Sequence, residues 1–251
     1  MTTLVCIKRV VDSSSEVVLT DDAQAVDGRY AGFTMSAHEE CAVEIAVQLG
    51  DATVMTLGDA DAVEQLRAAL AVGCTAATHV VADPQTFGPA DVAREIAAVV
   101  RDSQESGGGH DLVLLGNDAA DSGDFQVGIR LAYELGWPVV NGVTNVSVAD
   151  GQVAASGAGP DGHETYRLPL PAVVTVLEGG VEPRYPTVPG RMKAKKVAID
   201  ERTPTAEPAG PGRVRLLLPP PAPSDVQILG KGAEAAPAVV DVLEQLGVLS
   251  R

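Results

Sequence analysis

The chain has 251 residues, 45% of them hydrophobic but only 3% aromatic, so its core must be built from small aliphatic side chains. That balance excludes wholesale disorder and suits a parallel sheet covered by helices. A formal charge of -16 repels a phosphate backbone and excludes broad nucleic-acid binding.

In chain order, Leu4 to Ile7 reads as a short buried strand closed by Lys8-Arg9. Met1-Thr2-Thr3 runs straight into it with no leader, and no apolar run approaches a membrane span. A soluble, cytoplasmic protein with no membrane insertion is therefore expected. Cys6, Cys41 and Cys74 form no CxxC pair and read as buried thiols rather than a disulfide or metal site. Glu39 to Leu49 has helical spacing, with Ala42, Ile45, Ala46 and Leu49 on one face. Thr53 to Leu57 is a second strand. Asp61 to Val72 is a helix capped by Asp61 and stopped by Gly73. Thr78 to Val81 and Asp111 to Leu115 are further strands, with a helix over Pro89 to Arg101 between them. Asp124 to Leu135 is a helix stopped at Gly136. This rhythm predicts an α/β fold with a doubly wound, mainly parallel sheet.

The pattern then changes. Val143–Val148, Val153–Ser156 and Glu164–Leu168 read as an antiparallel meander with turns at Asp150-Gly151 and Pro160-Asp161-Gly162. Leu170 to Val176 is a strand entered through Pro171. Beyond Lys196 come Pro-rich stretches, Thr203 to Gly212 and Pro219-Pro220-Pro221. Only Ala236 to Leu249 regains helical periodicity, with Val239, Leu243 and Leu246 on one face. Such a tail cannot form its own core. It is either a loose terminus or an extended arm that buries its helix against another subunit.

Two segments carry chemistry. The first, Gly116 to Gly128, follows a strand and opens a helix, where an α/β sheet presents its crevice and helix N–H groups. Gly123 and its small neighbours admit backbone amides to a phosphate, and Gln126 offers a side-chain amide. The spacing is neither GxGxxG nor a Walker loop, and Asp118, Asp121 and Asp124 are poor phosphate ligands. A capped turn and a nucleotide site both fit. The second, Glu182 to Lys196, is stiffened by Pro183, Pro186 and Pro189, and Arg191 to Lys196 reads as one positive helical turn. A linker with solvated lysines and a docking site whose apolar tip anchors while charges steer both fit. His38, His79, His110 and His163 lie apart, without HxxxH or Ser-His-Asp spacing, and read as surface or turn residues, which argues against a lone enzyme.

The string Glu182-Pro183-Arg184-Tyr185, Pro186-Thr187-Val188-Pro189 and Met192-Lys193-Ala194-Lys195-Lys196 closely resembles the signature of electron-transfer flavoprotein beta subunits. Lys8 to Asp12, Met35-Ser36 before Glu40 to Glu44, Asp121 to Gly128, and Leu170 to Val174 extend the likeness over nearly the whole chain.

The resemblance implies a Rossmann-like, adenine-nucleotide alpha-hydrolase-like fold. It implies a nucleotide-binding domain over 1–190 and, over 191–251, a basic segment and arm packing on an alpha subunit. It implies an electron carrier without bond-making catalysis, accepting electrons from acyl-CoA or other flavin dehydrogenases. Electrons would leave to a quinone oxidoreductase or similar acceptor. Alpha would supply most of an FAD site, and this chain would complete it and hold a structural AMP. Cys6, Ser36 and Leu57 would lie near adenine and ribose. Asn117, Asp118, Ala119, Ala120, Asp121, Ser122, Gly123, Asp124, Phe125, Gln126 and Val127 would hold the phosphates. Arg184, Tyr185, Thr187, Val188, Pro189, Met192, Lys193, Lys195 and Lys196 would dock the partner, with Val188 as anchor. The chain departs from the family pattern at Ser36, Ser122-Gly123-Asp124, Ser13 and Ser156-Gly157-Ala158. These departures leave AMP, the expected ligand, beside a second FAD, as in electron-bifurcating relatives. The rival from another class is a non-redox adenine-nucleotide-binding module, which leaves the Lys-rich string without a purpose.

Overall fold

Strand β1 (Thr2–Cys6) leads through a hairpin of β2 (Val10–Val11) and β3 (Phe33–Thr34) into helix α1 (Ala37–Leu49). Then follow β4 (Asp51–Gly58), α2 (Val63–Val72), β5 (Ala76–Val81), α3 (Pro89–Glu105), β6 (Leu112–Gly116) and α4 (Val127–Leu135). The chain continues through β7 (Val139–Val143), β8 (Asn145–Ala149), β9 (Gln152–Gly159), β10 (Gly162–Pro169), β11 (Ala172–Val176), α5 (Val188–Ala194), β12 (Ile199–Arg202) and α6 (Ala236–Gln245). This computed structural model describes residues 1–12, 14, 17–212, 215–220 and 226–249. Ser13 and Pro221, singled out above, lie outside the described residues.

The central sheet has seven strands in the order β12-β5-β4-β1-β6-β11-β7, every pair parallel. Alternation along each strand builds two cores. Val5, Val54, Leu112, Leu114 and Val174 face Ala42, Ile45, Ala46, Leu66 and Ala69 of α1 and α2. Leu4, Met55, Leu57, Val113 and Leu115 face Ile96, Ala97, Val100, Leu131 and Ala132 of α3 and α4. Alanines at the contact faces bring helices close to the strands, which is how a core almost without aromatics closes. Each fully buried Leu, such as Leu66 or Leu131, contributes about 1.5–3 kcal/mol relative to exposure.

Several expectations shift by a definite cause. Asp59, not Asp61, is the cap before α2: its carboxylate accepts from Asp61 N at 3.1 Å and opens a 3-10 turn over Ala60–Ala62. The expected helix from Asp124 begins only at Val127, because Gly123 (φ 58°) and Phe125 (φ 55°) are left-handed. The expected strand over Val143–Val148 is two, broken at Thr144. Its first part joins the parallel sheet, while β8, β9 and β10 form a separate antiparallel sheet. The expected basic turn starts earlier, at Val188, because Thr187 Oγ1 accepts from Gly190 N at 3.1 Å. The tail helix ends at Gln245 rather than Leu249, with Gly247 left-handed behind it (φ 72°). His79 and His110 are buried rather than on the surface, His79 with its Nε2 3.1 Å from Gly58 O.

Contacts divide the chain into two compact units, Met1–Leu216 and Leu217–Arg251. The division falls beyond residue 190 because α5 packs on α2 and β12 pairs with β5. Residues of α3 also hold the following segment. Asp91 accepts from Ala209 N and Gly210 N at 3.0 Å each, and Glu95 from Thr205 N at 2.7 Å. The second unit contains a 3-10 turn (Gly232–Ala235) and α6, none of whose side chains is buried.

Candidate functional site

The chain leaves β1 toward one face of the sheet and β6 toward the other, so their adjacent carboxyl ends form a switch point where ligands enter such sheets. A cleft partly open to solvent lies there. Cys6, Leu57, Asn117, Asp118, Ala119, Ser122, Asp124, Phe125, Gln126 and Val127, all expected at the site, line it. Ser36 and Ala120 instead line a neighbouring cleft that shares Asp118. Asp121 is turned onto Lys8, whose Nζ lies 2.7 Å from its Oδ2. Gly123 shapes the loop through its left-handed backbone and donates its N–H to Ala119 O at 2.9 Å.

The loop is anchored to the sheet at Asn117. Its N–H donates to Val176 O at 2.9 Å, and its Oδ1 accepts from Thr175 Oγ1 at 2.7 Å. α4 approaches β11 closely because Gly128 has no side chain: a Cβ there would stand 2.3 Å from Thr175 Cγ2. That approach brings the first N–H groups of α4 to the cleft, where a helix start favours an anion. Gln126 Oε1 accepts from Arg130 Nε and Nη2 at 3.0 and 2.8 Å, so the side chain is held in place.

Several wall residues escaped sequence reasoning. Thr56 is buried in β4 beside the cleft, and its Oγ1 has no hydrogen-bond partner among the described residues. Glu39, 5% exposed, accepts from Ser36 N at 3.2 Å and packs against Gly116. Burial pushes its carboxyl up to about 8, against partial opposition from the N–H groups of Ser36 and Lys8. In the sequence Glu39 is only an acid in a helix's first turn. Nothing local reveals that β6 ends against it. Burial also pushes the Cys6 thiol far up, so it presents a neutral, inert surface. His38 Nδ1 lies 2.8 Å from Asp118 Oδ1, joining α1 to the loop.

The second segment forms a stiff projection. The Arg184 guanidinium grips the Glu44 carboxylate of α1 through Nε and Nη2 at 2.8 and 2.7 Å, holding that carboxyl down to about 2. Gly190 lies so close to α2 that a Cβ would stand 2.3 Å from Ala71 O. Arg67 Nη1 donates to Val197 O at 2.6 Å, fixing the far end. What projects is apolar and cationic: Tyr185 is 91% exposed, Val188 72% and Met192 61%, beside exposed Lys193, Lys195 and Lys196. Among the described residues no helix is long and apolar enough to cross a membrane.

Residues 26–207 match the family model described as the electron transfer flavoprotein domain. The chain is similar to the electron transfer flavoprotein subunit beta of Bacillus subtilis, 30% identical over 97% of each chain. It is 34% identical to the human subunit beta, over 78% of this chain and 79% of the human one. The mitochondrial subunit beta of Oryza sativa subsp. japonica is 36% identical, over 81% and 82% of the two chains.

Proposed function

The chain belongs to the electron transfer flavoprotein family, and on that premise we propose that it is the beta subunit of a heterodimeric electron carrier. An alpha subunit is its partner, holding most of an FAD whose completed site transfers electrons. The chain itself makes and breaks no bonds: flavin carries the redox chemistry, and protein sets distance and docking. A dehydrogenase of the flavin class, such as an acyl-CoA dehydrogenase, is the donor, a quinone-linked or similar protein the acceptor, and the cytoplasm the compartment.

The cleft at the ends of β1 and β6 is the single observation that carries the nucleotide assignment. AMP fits it. The N-terminus of α4 and the loop from Asn117 to Gln126 would receive the phosphate, and Cys6, Thr56 and Leu57 the adenosine. Asp118 and Asp124 line the cleft, and the cation Lys8 is already engaged by Asp121.

Docking of the dehydrogenase falls to Val188 and its cationic surround, held rigid by Arg184 and Gly190. Pre-ordering reduces the entropic cost of association. The exposed apolar side chains of α6, including Val239 and Val240, and of Leu246 beyond it give the arm its role against alpha. Co-expression with the alpha subunit tests the reading. It predicts a stable heterodimer with a flavin spectrum, weakened on gel filtration by truncation before Pro219. Val188→Ala should slow reduction by the dehydrogenase about tenfold at subsaturating carrier, from two lost buried methyl groups. Flavin content should stay unchanged. Loss of flavin in parallel would make Val188 structural.

A further inference from the structure

We propose that Glu39 is the protonation gate of the nucleotide cleft: the neutral acid admits an anionic nucleotide and the carboxylate expels it. The inference rests on the nucleotide reading of the cleft and assigns a specificity role to a residue which that reading leaves unused.

The geometry carries it. Glu39 sits where α1 meets the carboxyl end of β6, so tightly that a Cβ on Gly116 would stand 2.8 Å from its Cγ. It is 5% exposed and lines the same cleft as the start of α4. Among the described residues no cation forms an ion pair with it, and the Ser36 and Lys8 N–H groups, the Ser36 hydroxyl and the Lys8 charge offset burial only in part. From β1 comes the neutral Cys6, and from the segment after it Lys8, whose Nζ pairs with Asp121 Oδ2 at 2.7 Å. From the loop after β6 come Asp118, which faces His38, and Asp124, both of them acids. From α1 itself comes Glu40, and from the α3 side uncharged residues, Pro84, Phe87, Gly88, Pro89, Val92 and Ile96. Ser36 N, 3.2 Å away, donates to the carboxyl and helps hold it in place. An ionised Glu39 would therefore add a third acid to the wall around a ligand phosphate, in a site of reduced dielectric where repulsion is strong.

The neutral acid has the opposite character. Its O–H donates and its carbonyl accepts. Adenosine carries both donors and acceptors to meet them. Burial supports the same direction: with the carboxyl pushed up to about 8, Glu39 is neutral at pH 7 and ionises within a reachable range. Only the protonated fraction is competent, so apparent affinity follows that fraction.

AMP titration of the full-length protein by calorimetry, nucleotide first removed, tests this between pH 7 and 9.5. The dissociation constant of the wild type should rise above pH 8, approaching about tenfold per pH unit. Glu39→Gln should bind AMP with no such rise. Because that variant could lose its fold, the wild type alone gives a second readout. Titrations at pH 9 in buffers of different ionisation enthalpy should reveal uptake of nearly one proton per AMP. A constant wild-type affinity, absent proton uptake, or an equal rise in a folded Glu39→Gln would overturn the gate while leaving the cleft assignment intact. No AMP binding by the wild type at any pH would overturn both.

Discussion

Gly128→Ala should damage the fold and the site together, through one contact. The added Cβ would lie 2.3 Å from Thr175 Cγ2, against an ordinary carbon–carbon contact of about 3.5–4.0 Å. Something must move by more than about 1 Å. Thr175 cannot yield cheaply: it is 3% exposed, its Oγ1 donates to Asn117 Oδ1 at 2.7 Å and accepts from Gly142 N at 3.0 Å. Rotating it would break both bonds, so the start of α4 moves instead. Overpacking of this kind costs about 1–3 kcal/mol. For a chain of this size that lowers the melting temperature by roughly 2–12 °C. The displaced helix start should also weaken AMP binding. Thr175→Ser removes the clashing methyl while keeping the hydroxyl, so the double variant should recover most of the stability. Thermal and urea unfolding of both singles and the double give the cycle, with coupling of about 1 kcal/mol or more. Wild-type stability in Gly128→Ala, or simple additivity in the double, would refute the close-approach argument.

Arg184→Ala strips the partner from Glu44, a buried carboxylate, and should cost roughly 1–3 kcal/mol at neutral pH, the guanidinium being half-exposed. Because Arg184 depresses the Glu44 carboxyl to about 2, the stabilisation is full above its unfolded value near 4.5 and fades as pH falls toward 2. Denaturant curves should thus converge for wild type and variant between those pH values. An equal gap at pH 7 and 2.5 would assign the loss to packing alone. Asp91→Ala should release the segment after β12 by leaving the N–H groups of Gly88, Ala209 and Gly210 without their acceptor. Hydrogen exchange at Ala209 and Gly210 should accelerate at least about tenfold. Unchanged protection would mean the latch lies elsewhere.

The parallel sheet was legible because its strands, buried on both faces, are short aliphatic runs bounded by Gly and polar residues, as at Leu112 to Gly116. The edge strand β12, Ile-Asp-Glu-Arg, was not, because its pairing with β5 needs no apolar pattern. The start of α4 was misplaced because no local propensity signals a left-handed Phe125. Ten residues expected at the nucleotide site do line the cleft, since a loop after a strand carries them there together. Glu39, Thr56 and Lys8 stayed hidden for the converse reason: three different elements deliver them, and only packing reveals that they meet. In Glu182 to Lys196 the long string marked the segment, while its rigidity came from Glu44 and Ala71, partners more than a hundred residues away.

The most direct test of the carrier assignment is the nucleotide content of the purified heterodimer. Mass spectrometry of the nucleotides released on denaturation should find one AMP and one FAD per pair of subunits. Two FADs, or a chain that forms no heterodimer and releases no nucleotide, would contradict the account.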